Sequence, residues 1–276
     1  MKKILVCSVA TLSLLFRGMA ADLPVVYDGW DHGDPPFMLE DGWTPLLNGT
    51  NLSGWHVTDA RREGTWMATT AVAWGGTNNA HALVGRPGPG GGVIVNTVRG
   101  SACNLMCDTK MGDFELWIEF MIPKVSNSGV YLHGLYEMQV WDSFGIVPQF
   151  DTDRTGALYH YEGGPINGQD GGTVPLVRAE WDHGYWNSYH VWYQAPRFDS
   201  SGKKIQNAKV LRALCNGQLI HENKERLGRT QAAPNMPEAT ANPVVMLQGD
   251  HGSVAFRNIY VRPLRWPIPG LPSSNP

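Results

Sequence analysis

Apolar and polar residues alternate along several short stretches of the chain, and this period of two predicts β-strands with one buried face. In FELWIEFMI (114–122) the apolar residues share one parity, and Glu115, Trp117 and Glu119 occupy the other. SYHVWYQA (188–195) alternates in the same way. Each stretch therefore predicts an antiparallel strand that covers a core on one side only.

Turn residues separate these runs at short intervals from about residue 43 to residue 264. Asn216-Gly217 lies between two apolar runs and predicts a two-residue β-hairpin. Residues 243–264 predict two more strands around a polar turn, and no stretch predicts a helix longer than a turn or two. About a dozen short strands without βαβ spacing predict an all-β sandwich with one open, concave sheet.

Composition agrees with a protein of strands and turns. Only 17% of the 276 residues are charged, and the chain has 32 glycines and 19 prolines. It also has 11 tryptophans, against roughly three to four expected from average usage. Because an indole ring stacks on the C–H groups of a pyranose, this excess is consistent with a sugar-binding surface.

The first residues, MKKILVCSVATLSLLFRGMAADLP, have the pattern of a secretory signal peptide. Lys2 and Lys3 precede a short apolar run, and small residues follow it around Ala20. We expect residues 1–20 to be removed, residues 21–41 to form an N-terminal extension, and the protein to be secreted or periplasmic.

Loss of the signal peptide would leave 19 basic and 25 acidic residues, a net charge near −6. With no basic stripe, the sequence argues against nucleic acid as a partner. No second apolar run is long enough to span a membrane. Cys103 and Cys107 are spaced for a short-loop disulfide, although two buried thiols or a metal clip fit the spacing as well, and Cys215 is then expected to be unpaired and buried.

The stretch GVYLHGLYEMQVWDSFG (129–145) has an unusual outer face. Glu137, Gln139 and Trp141 share one parity of a predicted strand, where Lys, Thr or Ser would be ordinary. Residues of one parity lie about 6.5–7 Å apart, which is the length of one sugar ring. Glu137 is the best candidate for a catalytic base, because burial of a carboxyl raises its pKa toward the range useful for proton abstraction.

His133 could join this group, depending on the turn that precedes Glu137. A three-residue turn at 134–136 would make His133 and Glu137 cross-strand neighbours and gather Tyr131 with them, whereas a two-residue turn would point His133 to the other face. A hydrogen-bonded structural histidine is the plain alternative. We predict the three-residue turn.

Asp142 has the wrong parity in a straight strand, but a β-bulge near Trp141 would turn it toward Glu137. The pair would then resemble the two carboxylates of an ordinary glycoside hydrolase, which is an alternative mechanism.

Other polar and aromatic residues are predicted to contact substrate or a cation. Asp250 and His251, in a turn flanked by glycines, could bind a divalent cation or a sugar, or the Asp could simply cap the turn. No cofactor-binding fingerprint is present, so no cofactor other than such a cation is expected. The remaining predicted substrate contacts are Trp117, Glu119, Asn127, Gln248 and Arg257.

Five motifs together resemble, in order, the landmarks of the 3-keto-disaccharide hydrolase domain family. They are GWTPLLNGTNLSGW (42–55), GDFELWIEFMIPKVSNSGVYLHG (112–134), YEMQVWDS (136–143), GALYHY (156–161) and LQGDHGSVAFRNIYVRPL (247–264).

The resemblance implies a concanavalin-like jelly-roll domain over residues 42–264, followed by a proline-rich tail at 265–276. It also implies a carbohydrate substrate, a 3-keto-glycoside, cleaved by elimination and hydration. From the strand parity and the turn discussed above, we assign Glu137 or His133 as the base at C2. A two-carboxylate glycoside hydrolase and a non-catalytic carbohydrate-binding protein are the alternatives.

Overall fold

The computed structural model describes residues 34–86, 90–96, 102–148, 150, 152–163, 171–239 and 243–271. The signal peptide expected at residues 1–20 and the last five residues of the tail lie outside these ranges. Within them the chain is almost entirely β-structure, with one short helix, α1 (Pro36–Leu39), and 3₁₀ turns at Ala60–Arg62 and Thr77–Asn79. None of the described helices is long and apolar enough to cross a membrane.

Seventeen strands are present in the described part of the chain. They are β1 Thr44–Pro45, β2 Trp55–Val57, β3 Trp66–Thr69, β4 Ala71–Trp74, β5 Leu83–Arg86, β6 Val93–Asn96, β7 Leu105–Cys107, β8 Phe114–Met121, β9 Asn127–Leu132, β10 Tyr136–Trp141, β11 Asn187–Gln194, β12 Arg197–Phe198, β13 Lys204–Gln206, β14 Ala208–Cys215, β15 Gln218–Arg226, β16 Val245–Leu247 and β17 Val254–Pro263.

Two antiparallel sheets form the sandwich. The large sheet has the order β15-β14-β11-β8-β17-β6-β3, with β1 paired to β17, and the small sheet has the order β10-β9-β16-β7-β2. Two-stranded ribbons, β4-β5 and β12-β13, complete the fold. The predicted all-β, concanavalin-like jelly-roll sandwich is confirmed.

The core lies between the sheets, and β8, β10 and β11 each contribute one parity to it. From the large sheet come the apolar residues of β8 together with Tyr189, Val191 and Tyr193 of β11, as their alternation predicts. From the small sheet come Val130 and Leu132 of β9 together with one parity of β10. The other parity of both sheets faces away from the core, on opposite sides of the molecule.

The hairpin between β14 and β15 forms where the sequence predicts it. Cys215 pairs with Gln218 across the loop, and Asn216 and Gly217 have φ angles of 47° and 79°. Two successive positive φ angles are the requirement of a type I′ turn, which explains the Asn-Gly pair.

The outer face of the large sheet is covered by both ends of the described chain. Phe37 of α1 stacks on Tyr260 with ring centroids 3.9 Å apart. Ile268 of the proline-rich tail is buried with Trp192 and Leu211. Beneath this cover, the buried Glu115 carboxylate accepts hydrogen bonds at 2.7 Å from His190 and from Arg262.

The three cysteines among the described residues make no disulfide. Cys103, Cys107 and Cys215 are all buried free thiols. The possible bridge between Cys103 and Cys107 is therefore not formed, and burial raises the pKa of the Cys107 thiol.

Candidate functional site

The outer face of the small sheet carries the residues of interest. In the register of β9 with β10, Glu137 lies opposite Tyr131 and Gln139 lies opposite Gly129. The alternate residues Tyr136, Met138 and Val140 enter the core, as their parity predicts. Glu137 and Gln139 thus face away from the core.

This face forms the floor of a cavity of about 380 Å³, a size within the usual range for small-molecule sites. Its walls come from the loops around residues 104, 150–160, 231 and 250. The residues that line it are Asn104, Asn127, Tyr131, Glu137, Gln139, Phe150, Thr152, Asp153, Tyr159, His160, Gln231, Ala232, Gln248, Asp250 and His251.

Glu137 is buried at the bottom of the cavity, with 3% of its surface exposed. Burial raises the pKa of its carboxyl to about 8, although a hydrogen bond with Tyr131 acts in the opposite direction. The backbone is held on both sides, because Glu137 N–H donates to Thr230 Oγ1 at 2.9 Å and its carbonyl accepts from Tyr159 N–H at 3.1 Å. A carboxyl that is neutral at pH 7 is therefore fixed under the cavity.

Gly129 gives the Glu137 side chain its space. A Cβ atom at residue 129 would lie 2.3 Å from Glu137 Oε1 and 2.9 Å from its Cγ. The carboxyl thus lies across the backbone of the neighbouring strand. The Gly129 carbonyl also accepts a hydrogen bond from Gln248 N–H at 2.9 Å, which brings Gln248 to the same face.

Several polar atoms of this site have no hydrogen-bond partner among the described residues. They include the side-chain oxygens of Gln139, Gln248 and Thr152, residues that are all at least nine-tenths buried. Because an unpaired buried polar group costs about 1–3 kcal/mol, such a cluster is unusual in a purely structural region. The hydroxyl groups of a sugar would satisfy these atoms.

Asp250 and His251 form the rim, joined by a 2.7 Å contact between Asp250 Oδ1 and His251 Nδ1. This hydrogen bond raises the pKa of His251 and lowers that of Asp250. Asn96 Nδ2 fixes the turn by donating to the carbonyls of Gly249 and Gly252, at 2.6 and 3.1 Å. The imidazole is thereby held at the cavity mouth.

The predicted cation site at Asp250 and His251 has only two ligands. Among the described residues, the one group of three or more potential metal ligands is Asp142, Asp182 and His183, and none of the three lines the cavity. The geometry fits a hydrogen-bonded acid–imidazole pair better than a metal site.

The structure brings seven predicted residues together around this one cavity. They are Asn127, Tyr131, Glu137, Gln139, Gln248, Asp250 and His251. Trp141 shares the face, opposite Asn127, but lies beyond the lining residues.

Glu119, Trp117 and Arg257, also predicted as substrate contacts, do not line this cavity. They lie on the outer face of the large sheet, on the far side of the core. Arg257 Nε donates to Glu119 Oε2 at 2.6 Å, and Trp117 Nε1 donates to Glu119 Oε1 at 3.3 Å. The polar side-chain groups of these three residues thus form hydrogen bonds with one another.

The predicted turn at 134–136 is also wrong, because Leu132 pairs with Tyr136 and the turn comprises residues 133–135. His133 begins this turn with a φ angle of 57°. Its ring is 4% exposed and lies 5.7 Å from the ring of Tyr193, and burial lowers its pKa to about 4. His133 is therefore a core residue rather than a base.

Asp142 is not turned toward Glu137. Its Oδ2 accepts a hydrogen bond from Val125 N–H at 2.7 Å, and its Oδ1 lies 3.5 Å from His183 Nδ1. The predicted pair of Glu137 with Asp142 is therefore absent.

Sequence reasoning missed the wall of the cavity that contains Phe150, Thr152, Asp153, Tyr159 and His160. Ala157 and Tyr159 bond to the backbone of β10 as an additional strand would, with Gln139 N–H donating to the Ala157 carbonyl at 2.8 Å. The motif GALYHY was noted as a landmark, and its two tyrosines and histidine were the available signal. The lining residues missed are Asn104, Phe150, Thr152, Asp153, Tyr159, His160, Gln231 and Ala232.

Comparison with known proteins identifies the family to which the chain belongs. Residues 42–262 match the model of a family described as 3-keto-alpha-glucoside-1,2-lyase-like domain. No match was found among curated proteins.

Two crystal structures from Parabacteroides distasonis ATCC 8503, each described as a "putative glycosyl hydrolase", are similar to the chain. The first is 26% identical with a TM-score of 0.51, over 88% of this chain and all of the other. The second is 17% identical with a TM-score of 0.50, over 81% of this chain and 95% of the other. The second supports the fold alone.

Proposed function

The chain belongs to the 3-keto-alpha-glucoside-1,2-lyase-like family, and from this premise we propose that it is an enzyme that cleaves 3-keto-glycosides. The reaction is removal of the C2 proton, elimination of the C1 substituent and addition of water. The observation that carries the proposal is Glu137, a buried carboxyl with a pKa of about 8 at the floor of a polar cavity. The similar Parabacteroides protein described as a glycosyl hydrolase agrees with an action on carbohydrates.

Elimination from a 3-keto-glycoside begins with removal of the C2 proton, so the site needs a base at C2 more than it needs a strong acid. A ketone at C3 acidifies the C2–H bond, because the electron pair released on deprotonation is delocalised onto the ketone oxygen as an enolate. A carboxylate whose conjugate acid has a pKa near the working pH is an effective base for such a step. Glu137 is the group in this cavity that meets the requirement.

The reaction conserves atoms and charge. The ionised Glu137 takes the C2 proton, and the enolate then re-forms the C3 ketone while the C1–O bond breaks, which leaves a double bond between C1 and C2. The departing oxygen takes a proton from the solvent at the cavity mouth. Water then adds at C1 and its second proton passes to the solvent. Glu137, whose carboxyl proton has by then exchanged with the solvent, protonates C2, so that the product is a free 3-keto sugar.

Hydrogen-bond donors are available for the enolate oxygen, which is where negative charge develops. Gln139 and Gln248 carry side-chain amides on the floor, and Tyr159 carries a hydroxyl on the wall. Arg257, predicted from the sequence as a substrate contact, lies on the large sheet and is not among these donors.

A substrate panel tests the proposal. The protein is incubated in deuterated water with methyl glucoside, methyl 3-keto-glucoside and the 3-keto forms of glucose disaccharides, and released methanol or sugar is followed together with deuterium at C2. We expect release from the 3-keto forms alone, with deuterium in the product. Equal cleavage of methyl glucoside without exchange at C2 would favour ordinary glycoside hydrolysis, and binding without cleavage of any member would favour a binding protein.

The rate should rise with pH, because Glu137 must lose its proton to act as the base. With a pKa of about 8, the carboxyl is mostly protonated at pH 7, and kcat/KM should increase through about pH 8 and then level off. The measurement is kcat/KM between pH 6 and 9.5, corrected for spontaneous elimination.

The Tyr131→Phe variant provides the control for this profile. The hydrogen bond from Tyr131 lowers the pKa of Glu137, so its removal should move the midpoint to higher pH. A rate that falls above pH 8 in the wild type would instead identify Glu137 as a proton donor.

A further inference from the structure

The cavity has an unusual balance of charges. Of the residues that line it, Glu137, Asp153 and Asp250 carry carboxyl groups, whereas no lysine or arginine is among them. Asp250 is paired with His251, and Glu137 is neutral at pH 7 because its pKa is about 8. Asp153 is therefore the acidic lining residue that has no cationic partner among the described residues.

The fold directs Asp153 into the cavity. It lies between Thr152 and Arg154, which are 2% and 1% exposed, and is itself only partly buried. Asp153 N–H donates to the Phe150 carbonyl at 3.0 Å. Thr155 fixes the segment to β10, because its hydroxyl donates to the Trp141 carbonyl at 2.6 Å and accepts from Trp141 N–H at 2.8 Å.

The Asp153 carboxylate has no partner within the described part of the chain. No described residue donates a hydrogen bond to it or forms an ion pair with it, and its pKa is raised by burial, with no cation acting to lower it. Asp153, Glu137 and Tyr159 line the same cavity. Burial raises the pKa of Tyr159, and the charges of both carboxyl groups raise it further.

We propose that Asp153 selects the charge of the ligand, so that the cavity accepts neutral and amine-bearing sugars and rejects sugars that carry a carboxylate. An unpaired carboxylate accepts hydrogen bonds from sugar hydroxyls and attracts an ammonium group. It repels a second carboxylate in a partly water-excluded space, where no lining lysine or arginine offsets the repulsion. The inference rests on the proposed function in taking the ligand to be a sugar.

The test compares binding of three methyl glucosides that differ only at C6, which carries a hydroxyl, an ammonium or a carboxylate group. None has a ketone, so binding is measured without turnover, by calorimetry or ligand-observed NMR at pH 7 and low salt. For the wild type we expect the ammonium compound to bind at least as tightly as the neutral glucoside, and the carboxylate compound to bind at least about tenfold more weakly, which is about 1.4 kcal/mol.

The Asp153→Asn variant should reduce this discrimination to within about threefold while binding the neutral glucoside, and Asp153→Lys should reverse it. Asp108→Asn is the matched control, since it also removes one negative charge, but from an exposed pair with His56 outside the cavity. It should discriminate as the wild type does. Thermal unfolding of each variant checks that the fold is retained.

Equal binding of the carboxylate and neutral compounds by the wild type, unchanged discrimination in Asp153→Asn, or binding of none of the three at millimolar concentration would overturn the proposal. If the protein discriminates by charge but does not cleave 3-keto-glycosides, the role of Asp153 stands and the proposed reaction is wrong. If the protein cleaves 3-keto-glycosides but does not discriminate by charge, the proposed reaction stands and the role of Asp153 is wrong.

Discussion

The Glu137→Gln variant is expected to lose turnover of a 3-keto-glycoside by about 10³-fold, within the range for removal of a general base. Gln has nearly the same shape as Glu and can still accept a hydrogen bond from Tyr131, so binding of an unreactive methyl glucoside should change by no more than about threefold. The measurements are kcat under saturating substrate, Kd for the glucoside, and the rate of deuterium exchange at C2. All exchange should disappear with turnover.

The control for this variant is Glu119→Gln, the same substitution on the outer face of the large sheet. Glu119 is paired with Arg257 at 2.6 Å and does not reach the cavity, so kcat per folded molecule should be unchanged. Full activity of Glu137→Gln would remove Glu137 from the mechanism. Loss of turnover with C2 exchange intact would assign it to a later step.

The Glu115→Gln variant is expected to lower the free energy of unfolding by about 3 kcal/mol, the scale measured when one partner of a buried ion pair is removed. Glu115 is 1% exposed, and its carboxylate accepts hydrogen bonds from both His190 and Arg262. Although burial raises its pKa, the hydrogen bonds from His190 and Arg262 outweigh this effect and lower it. The carboxyl is thus charged in the folded protein, and its loss leaves Arg262 without its buried partner.

Urea unfolding at pH 7 measures this change, and Glu222→Gln is the matched control. Glu222 pairs with Arg212 at 3.1 Å with 39% of its side chain exposed, so its loss should cost no more than about 0.5 kcal/mol. Because the folded-state pKa of Glu115 is lowered, its contribution should be present at neutral pH and be lost as the pH falls below about 4. Equal destabilisation by the two variants would contradict the assignment of Glu115 as a buried anchor.

Alternation along single strands was enough to predict the fold and the floor of the site. A period of two is a local property, so it assigned the inner and outer parities of β8, β10 and β11 correctly, and the Asn-Gly turn marked its own hairpin. Glu137 and Gln139 are outward-facing residues of β10. Gln248 directly follows β16, which pairs with the other edge of β9, and it reaches the same face there.

The errors arise where alternation carries no information. Alternation distinguishes inward-facing from outward-facing residues, but it does not show which of the two sheets a strand joins. For this reason Glu119, Trp117 and Arg257 were predicted to lie on the same side of the sandwich as Glu137, and they lie on the other side. The turn before Tyr136 has the predicted length of three residues but begins one residue earlier than predicted, so His133 lies in the turn and not opposite Glu137. Asp153 was missed because its direction depends on how the chain after β10 folds back, a contact between residues of irregular structure.

The Asn216-Gly217 turn has a chemical consequence for the ageing of this protein. Asn-Gly is the sequence in which the following backbone nitrogen most readily attacks the side-chain amide, with loss of ammonia and formation of isoaspartate. Here the Asn216 amide is held by three hydrogen bonds of 2.8 Å, accepting from Ser188 N–H and donating to the Ala179 carbonyl and to Asn187. The folded chain therefore keeps the amide away from the attacking nitrogen, and isoaspartate at residue 216 records the time that a molecule has spent unfolded.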